Sequence, residues 1–333
     1  MRDGRIDAAR GALIIGVVVG HFLERSHGWD GGVQRLALTV LYAFHMPAFV
    51  FLTGTVAKPS RTLRKVLGLL SVLVGFQIVY LVVLAATGVP LLEWYWPYWV
   101  LWFIMAMIWW QLLVPLIKRY PVTMLVLSVL VALLAGYAEP HGNWFAYQRT
   151  LVFLPFFIVG CAWGGSIIDV LQRLHVAVKL ALAAVFLAYA VLLFRWDPEP
   201  HWLFQNWTYG QLGESGVDGP ILRGGVLIAG ALGTAMLLSV VSSAQRPLVW
   251  IGRRTLPVFL FHVFPVLAFG WLLMPSLEHV PGSVLLLLGC GLGIGTAYVC
   301  AATPFVIITD GVRRFPETVL LARRARSRST AVS

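Results

Sequence analysis

The sequence predicts an all-α integral membrane protein of about ten transmembrane helices, with its N-terminus and C-terminus both cytoplasmic. Three observations predict this. Of 333 residues, 59% are hydrophobic and only 12% charged, whereas about a quarter of a soluble domain is charged. Apolar runs near the roughly 20 residues that cross a bilayer as a helix recur along the chain. Lysine and arginine gather in alternate connecting segments, as the positive-inside rule requires of cytoplasmic loops.

The runs fall at about 9–24, 34–57, 66–87, 97–117, 122–138, 150–168, 177–195, 221–242, 255–275 and 282–306. The first follows a short basic N-terminus and is not followed by a small-residue cleavage site, so it is expected to be retained as a helix. The first and fifth are short. Pro155, Pro257, Pro265 and Pro304 interrupt others, which neighbouring helices tolerate by re-satisfying the backbone. Gly289, Gly291, Gly293 and Gly295 lie in an apolar run with no strand before them, so their spacing reads as close helix packing and not as a nucleotide loop.

With the N-terminus inside, the cytoplasmic segments hold Lys58, Arg61, Arg64, Lys65, Lys118, Arg119, Arg253, Arg254, Arg313 and Arg314 among others. The outer side keeps Arg25, Arg35, Arg149, Arg195 and Arg223. Residues 1–310 form one polytopic domain, and 311–333 a basic tail expected to be disordered and to touch anionic headgroups. The long outer segment 196–220 is either a connector or part of an acceptor site. The net charge of +11 sits in short clusters between apolar runs, which argues against nucleic acid as a partner. Cys161, Cys290 and Cys300 are odd in number, lie in apolar runs and lack metal-ligand spacing, so neither a disulfide framework nor a metal site is expected.

Ionisable groups within apolar spans are costly and mark function. His21 lies eleven residues after Arg10, about 16 Å deeper along a helix and close to the midplane. His45 reaches a similar depth from the outer side, and His262 lies about two turns in from Arg253 and Arg254. A neutral imidazole at such depth can take a proton from a hydroxyl and return it, or simply bond a neighbouring helix. Asp7 and Arg10 share a helix face and can pair. Arg61 and Arg64 are spaced to grip a phosphate-bearing donor or to act as a topology signal. Trp94, Tyr95, Trp96, Tyr98 and Trp99 suit an interfacial aromatic belt before they suit stacking faces for sugars.

Asp7-Ala-Ala-Arg10-Gly11, Gly20-His21 and Phe44-His45-Met46-Pro47 running on to Leu52-Thr53-Gly54 resemble the membrane acyltransferase-3 family, particularly its fucose 4-O-acetylase-like branch. Arg10 and His21 match the family's arginine, ten residues, histidine motif, and Arg61-Thr62-Leu63-Arg64 looks like its arginine pair. Trp102-Phe103, Leu154-Pro155-Phe156-Phe157-Ile158-Val159-Gly160 and Ile251-Gly252-Arg253-Arg254 leading to His262 agree further.

The resemblance implies an O-acyltransferase of the plasma or inner membrane. It would move an acyl group, usually acetyl, from cytoplasmic acetyl-CoA or another acyl-CoA to a hydroxyl of a sugar or glycan. In that reading His21 is the catalytic histidine and Arg10 positions the donor. Arg61 and Arg64 meet the anionic coenzyme, while His45, His262 and Asp7 are candidates for proton transfer or acceptor binding. No metal is implied, and membrane lipids are the remaining partner. The chain departs from the pattern at Thr53, where serine is common, and it lacks the Trp-Ser-Leu-x-x-Glu motif of the polysaccharide-modifying branch. Its fourth span, Trp99-Val100-Leu101-Trp102-Phe103, carries no carboxylate to partner the histidine. A secondary transporter is the alternative; it predicts solute flux without covalent change, and no inverted repeat relates the two halves.

Overall fold

The computed structural model describes residues 3–87, 96–138 and 144–330, with the side chains of these up to residue 316. It is 83% helical, and no strand occurs among the described residues. The helices are α1 Gly4–Arg25, α2 Gly32–Thr55, α3 Thr62–Ala86, α4 Trp102–Arg119, α5 Pro121–Leu134, α6 Tyr147–Arg173, α7 Val176–Trp196, α8 His201–Phe204, α9 Asp218–Val240, α10 Arg246–Gly252, α11 Thr255–Phe261, α12 Val263–Ala268, α13 Gly282–Cys300 and α14 Thr303–Thr330. Among the described residues nine helical segments are long and apolar enough to cross a membrane. The fifth predicted run forms the shorter apolar helix Pro121–Tyr137.

Local chemistry explains several boundaries. Asp3 caps α1 by accepting from the Arg5 backbone N–H at 2.9 Å, and the Arg5 guanidinium bonded to it holds the Asp3 carboxyl below its ordinary range. Arg5 also reaches Asp169 near the end of α6 at 2.9 Å, tying two helices at the face where the chain begins. The predicted span 255–275 is interrupted. It runs as α11, a turn at His262, α12 and a π-turn at Phe269–Leu273. Pro265 has no N–H to return to the Phe261 carbonyl, so the ladder breaks there and His262 stands at the break. The last predicted span, 282–306, ends at Cys300. Pro304 cannot donate to the Cys300 carbonyl and instead opens α14, which continues past residue 310.

α1 is the organising helix: it packs on α2, α10 and α13, while α2 packs on α6 and α9. α14 lies along α3, where Ser71 donates to the Val312 carbonyl at 2.7 Å. The three cysteines are unbridged.

Candidate functional site

Two cavities lie one behind the other along α1. The larger, about 660 Å³, opens toward the face where the chain begins, and Arg10, Arg64, Lys65, Arg313 and Arg314 contribute its cationic lining. Phe49, Phe103, Phe157 and Phe259 line its apolar part. The smaller, about 260 Å³, lies deeper and is lined by His21, Glu24, Tyr42, His45, Trp99, Arg149, His201 and Asn206 among others. Phe259 lines both.

In the smaller cavity His21 and Glu24 are one helical turn apart on α1, so their side chains meet. His21 Nδ1 lies 2.6 Å from Glu24 Oε2, and both side chains are largely buried. A carboxylate only accepts, so Nδ1 carries the hydrogen and Nε2 is left with the basic lone pair. Tyr42 Oη lies 3.4 Å from the same Nδ1. The carboxylate therefore fixes the tautomer and the orientation of the ring.

Two further side chains pack against the ring. His262 stacks on His21 with ring centres 5.4 Å apart, fully buried, and its Nδ1–H donates to the Val258 carbonyl at 3.0 Å. Trp99 meets His21 edge-on at 4.6 Å and carries the Arg25 guanidinium 5.0 Å over its own ring. Trp99 sits at φ 36°, a left-handed conformation that costs a bulky residue about 1–3 kcal/mol. Gln77 secures this bend from α3, donating to the Trp96 carbonyl at 2.8 Å and accepting from the Tyr98 N–H at 2.9 Å. His45 is buried, with its Nδ1–H on the Leu41 carbonyl at 2.9 Å and its ring 4.6 Å from Tyr42.

The segment following α7 closes the far end of this cavity through His201, Leu203, Phe204 and Asn206. His201 donates from Nδ1 to Asn206 Oδ1 at 2.8 Å and stacks on Trp207 at 3.6 Å. Burial pushes the His201 imidazole below its ordinary range, against the raising effect of the Asn206 bond. A half-buried and a buried arginine anchor the segment: Arg149 donates to the Phe204 carbonyl at 3.0 Å and lies over Trp102, and Arg223 donates to the Trp207 carbonyl at 3.0 Å beneath the Tyr209 ring. Of the two readings of this stretch, connector or part of a site, it lines the histidine cavity.

The structure brings His21, His45 and His262 into one neighbourhood, although His262 is not among the residues lining the smaller cavity. Arg10 and Arg64 share the larger cavity, and Arg10 also donates to the Leu52 carbonyl at 3.2 Å. Arg61 is an exposed residue before α3, in the left-handed region at φ 58°, and is not among that cavity's lining residues. Asp7, 1% exposed, accepts from Arg253 Nε at 3.2 Å and so joins α1 to the turn after α10. Trp94 and Tyr95 lie outside the described residues. The sequence reasoning missed Glu24, Tyr42, Arg149, Arg313 and Arg314. Only Glu24 carried a local signal, its three-residue spacing from His21. Among the described residues no group of three or more histidine, cysteine, aspartate or glutamate side chains is placed to hold a metal ion.

A family model described as an acyltransferase domain matches residues 3–302. The chain belongs to the acyltransferase 3 family. It is therefore a multi-pass membrane acyltransferase, which decides between the two activities the sequence left open and against the transporter. The family match spans both cavities except Arg313 and Arg314, which lie beyond it on α14. No curated protein and no solved structure matches this acyltransferase.

Proposed function

We propose that this acyltransferase takes an acetyl group from acetyl-CoA bound in the arginine-lined cavity and delivers it to a hydroxyl of a sugar or glycan in the His21 cavity. The observation that carries this reading is the buried His21–Glu24 pair, which frees Nε2 as a base next to a cavity that shares a wall with a cationic one. The acceptor hydroxyl gives its proton to Nε2 while its oxygen bonds to the thioester carbonyl carbon. The carbon–sulfur bond then breaks, and the leaving thiolate takes the proton from the imidazolium. Trp99, Tyr42 and Trp102 supply aromatic faces against which a sugar ring stacks, and His201 and Asn206 supply polar groups for its hydroxyls. On the positive-inside rule the arginine-lined cavity faces the cytoplasm, where acyl-CoA is made available.

The test is transfer of radiolabelled acetyl from acetyl-CoA into the glycan and lipid fractions of membranes containing the protein, against membranes containing His21→Ala at equal abundance. Label incorporated only with His21 present is the expected result; equal incorporation in both removes His21 from the chemistry.

Donor binding separates the two arginines of the first basic cluster. Arg64→Ala is expected to weaken acetyl-CoA binding in detergent by roughly tenfold or more, the loss of one contact to a charged group being worth about 1.5–3 kcal/mol. Arg61→Ala, outside the lining, is expected to stay within about twofold, a surface charge screened by solvent. Calorimetric titration of each variant checks both; equal losses would place the coenzyme elsewhere on this face.

A further inference from the structure

Phe259 stands on α11, 7% exposed, and alone among the described residues lines both cavities. Its ring lies 5.7 Å from Phe103 and 6.1 Å from His262, and Phe103 in turn packs edge-on against Phe49 at 5.6 Å. Phe49 and Phe103 belong to the lining of the arginine cavity, while His262 stacks on His21. The aromatic cluster is thus a partition with the coenzyme's charges on one side and the base on the other. Any thioester whose polar end stays with Arg10, Arg64 and Arg313 must bring its acyl carbon past this partition before an oxygen deprotonated by Nε2 can reach it.

We infer that Phe259 is the septum an acyl group must pass on its way to His21, and that its ring sets the size of acyl group the enzyme transfers. The inference rests on the acyl-CoA reading above. Beyond the septum the space is small, about 260 Å³ shared between acyl group and acceptor, so a short acyl group fits and a longer one competes with the acceptor for room. The neighbours across the septum are packed aromatic rings, whose positions are fixed by close packing, so shortening the Phe259 side chain opens the passage and is not compensated by collapse of polar groups. Phe259→Leu removes part of the ring and Phe259→Ala nearly all of it.

The experiment supplies membranes containing wild type, Phe259→Leu, Phe259→Ala or Phe259→Trp with equimolar acetyl-CoA and butyryl-CoA carrying different radiolabels, and reads the butyryl-to-acetyl ratio in the acylated product. The ratio is expected to rise in the order Trp, Phe, Leu, Ala, by about tenfold or more from wild type to Ala, the discrimination two methylenes provide in an apolar passage. The ratio is internal to each sample, so a variant of lowered abundance still reports it, and Phe259→Leu covers the case in which Phe259→Ala does not fold. His21-dependent acetyl transfer with the same ratio in wild type, Leu and Ala variants would overturn this inference and leave the acyl-CoA reading standing. Absence of His21-dependent transfer from either thioester in the wild type would overturn that reading and this inference with it.

Discussion

Glu24→Gln is expected to lower the rate of acyl transfer by about two to four orders of magnitude at unchanged acetyl-CoA affinity, the range spanned by losing properly positioned acid–base assistance. The amide is nearly isosteric with the carboxylate, so the packing around Tyr42 and Trp99 is kept, but the negative charge beside the ring is gone. The side-chain amide can also present its N–H groups to Nδ1, which turns the ring into the tautomer with the hydrogen on Nε2 and leaves no base toward the acceptor. His21→Ala is expected to cost at least as much. Because the two side chains act as one unit at 2.6 Å, the double variant should be no worse than His21→Ala alone. Initial rates of acetyl transfer across the four proteins check this. Additive losses would mean that Glu24 acts on something other than the imidazole, such as the cationic Arg149 that shares its cavity.

The site was partly legible in the sequence, for reasons that differ residue by residue. Helical rise alone carried His21 to the depth of the midplane, and the apolar run around it made its cost evident. Glu24 was hidden by its position at the end of that run, where a charged residue reads as one that has reached water. The bend at Trp99 and the segment at His201 bring other elements over the end of α1, so Glu24 is covered although the hydrophobic run has ended. No local pattern announces that covering, because it depends on how the connecting segments fold back. Arg149 looked like an outer-face charge for the same reason. Arg313 and Arg314 read as charges that orient the chain, at the start of a tail expected to be disordered; they reach the arginine cavity because the chain breaks after Cys300 and α14 returns along α3. The prolines in the spans were read as tolerated interruptions, and the interruption at Pro265 falls beside His262, which stacks on His21.

The glycines in the sequence motifs have a physical reason that predicts a large structural effect. Where α2 crosses α6, a Cβ added to Gly160 would stand 2.0 Å from the Phe51 carbonyl oxygen, and one added to Gly54 would stand 2.2 Å from that of Phe157. Each glycine thus lies against the backbone of the other helix, and the helices approach more closely than any side chain permits. A flexible side chain could swing aside, but a carbonyl within a helix cannot move without the helix. Gly160→Ala must therefore separate α2 from α6. Simple overpacking costs about 1–3 kcal/mol, and a clash between backbones belongs at or above the top of that range. Gly165 is the internal control, five residues on in the same helix with nothing within 4 Å of an added Cβ. Gly165→Ala removes the entropic cost of glycine in a helix and is expected to be neutral or stabilising by up to about 1 kcal/mol. Thermal unfolding in detergent, followed by retention of a monodisperse chromatographic peak, separates the two; a Gly160→Ala protein as stable as wild type would show that the crossing has slack. The crossing also bears on function. α2 contributes Tyr42 and His45 to one cavity and Phe49 and Thr53 to the other, and α6 contributes Arg149 and Phe153 to the first and Phe157 to the second. Forcing the two helices apart at Gly160 would widen both cavities at once, so any Gly160→Ala protein that survives in the membrane is expected to lose acetyl transfer more than it loses fold.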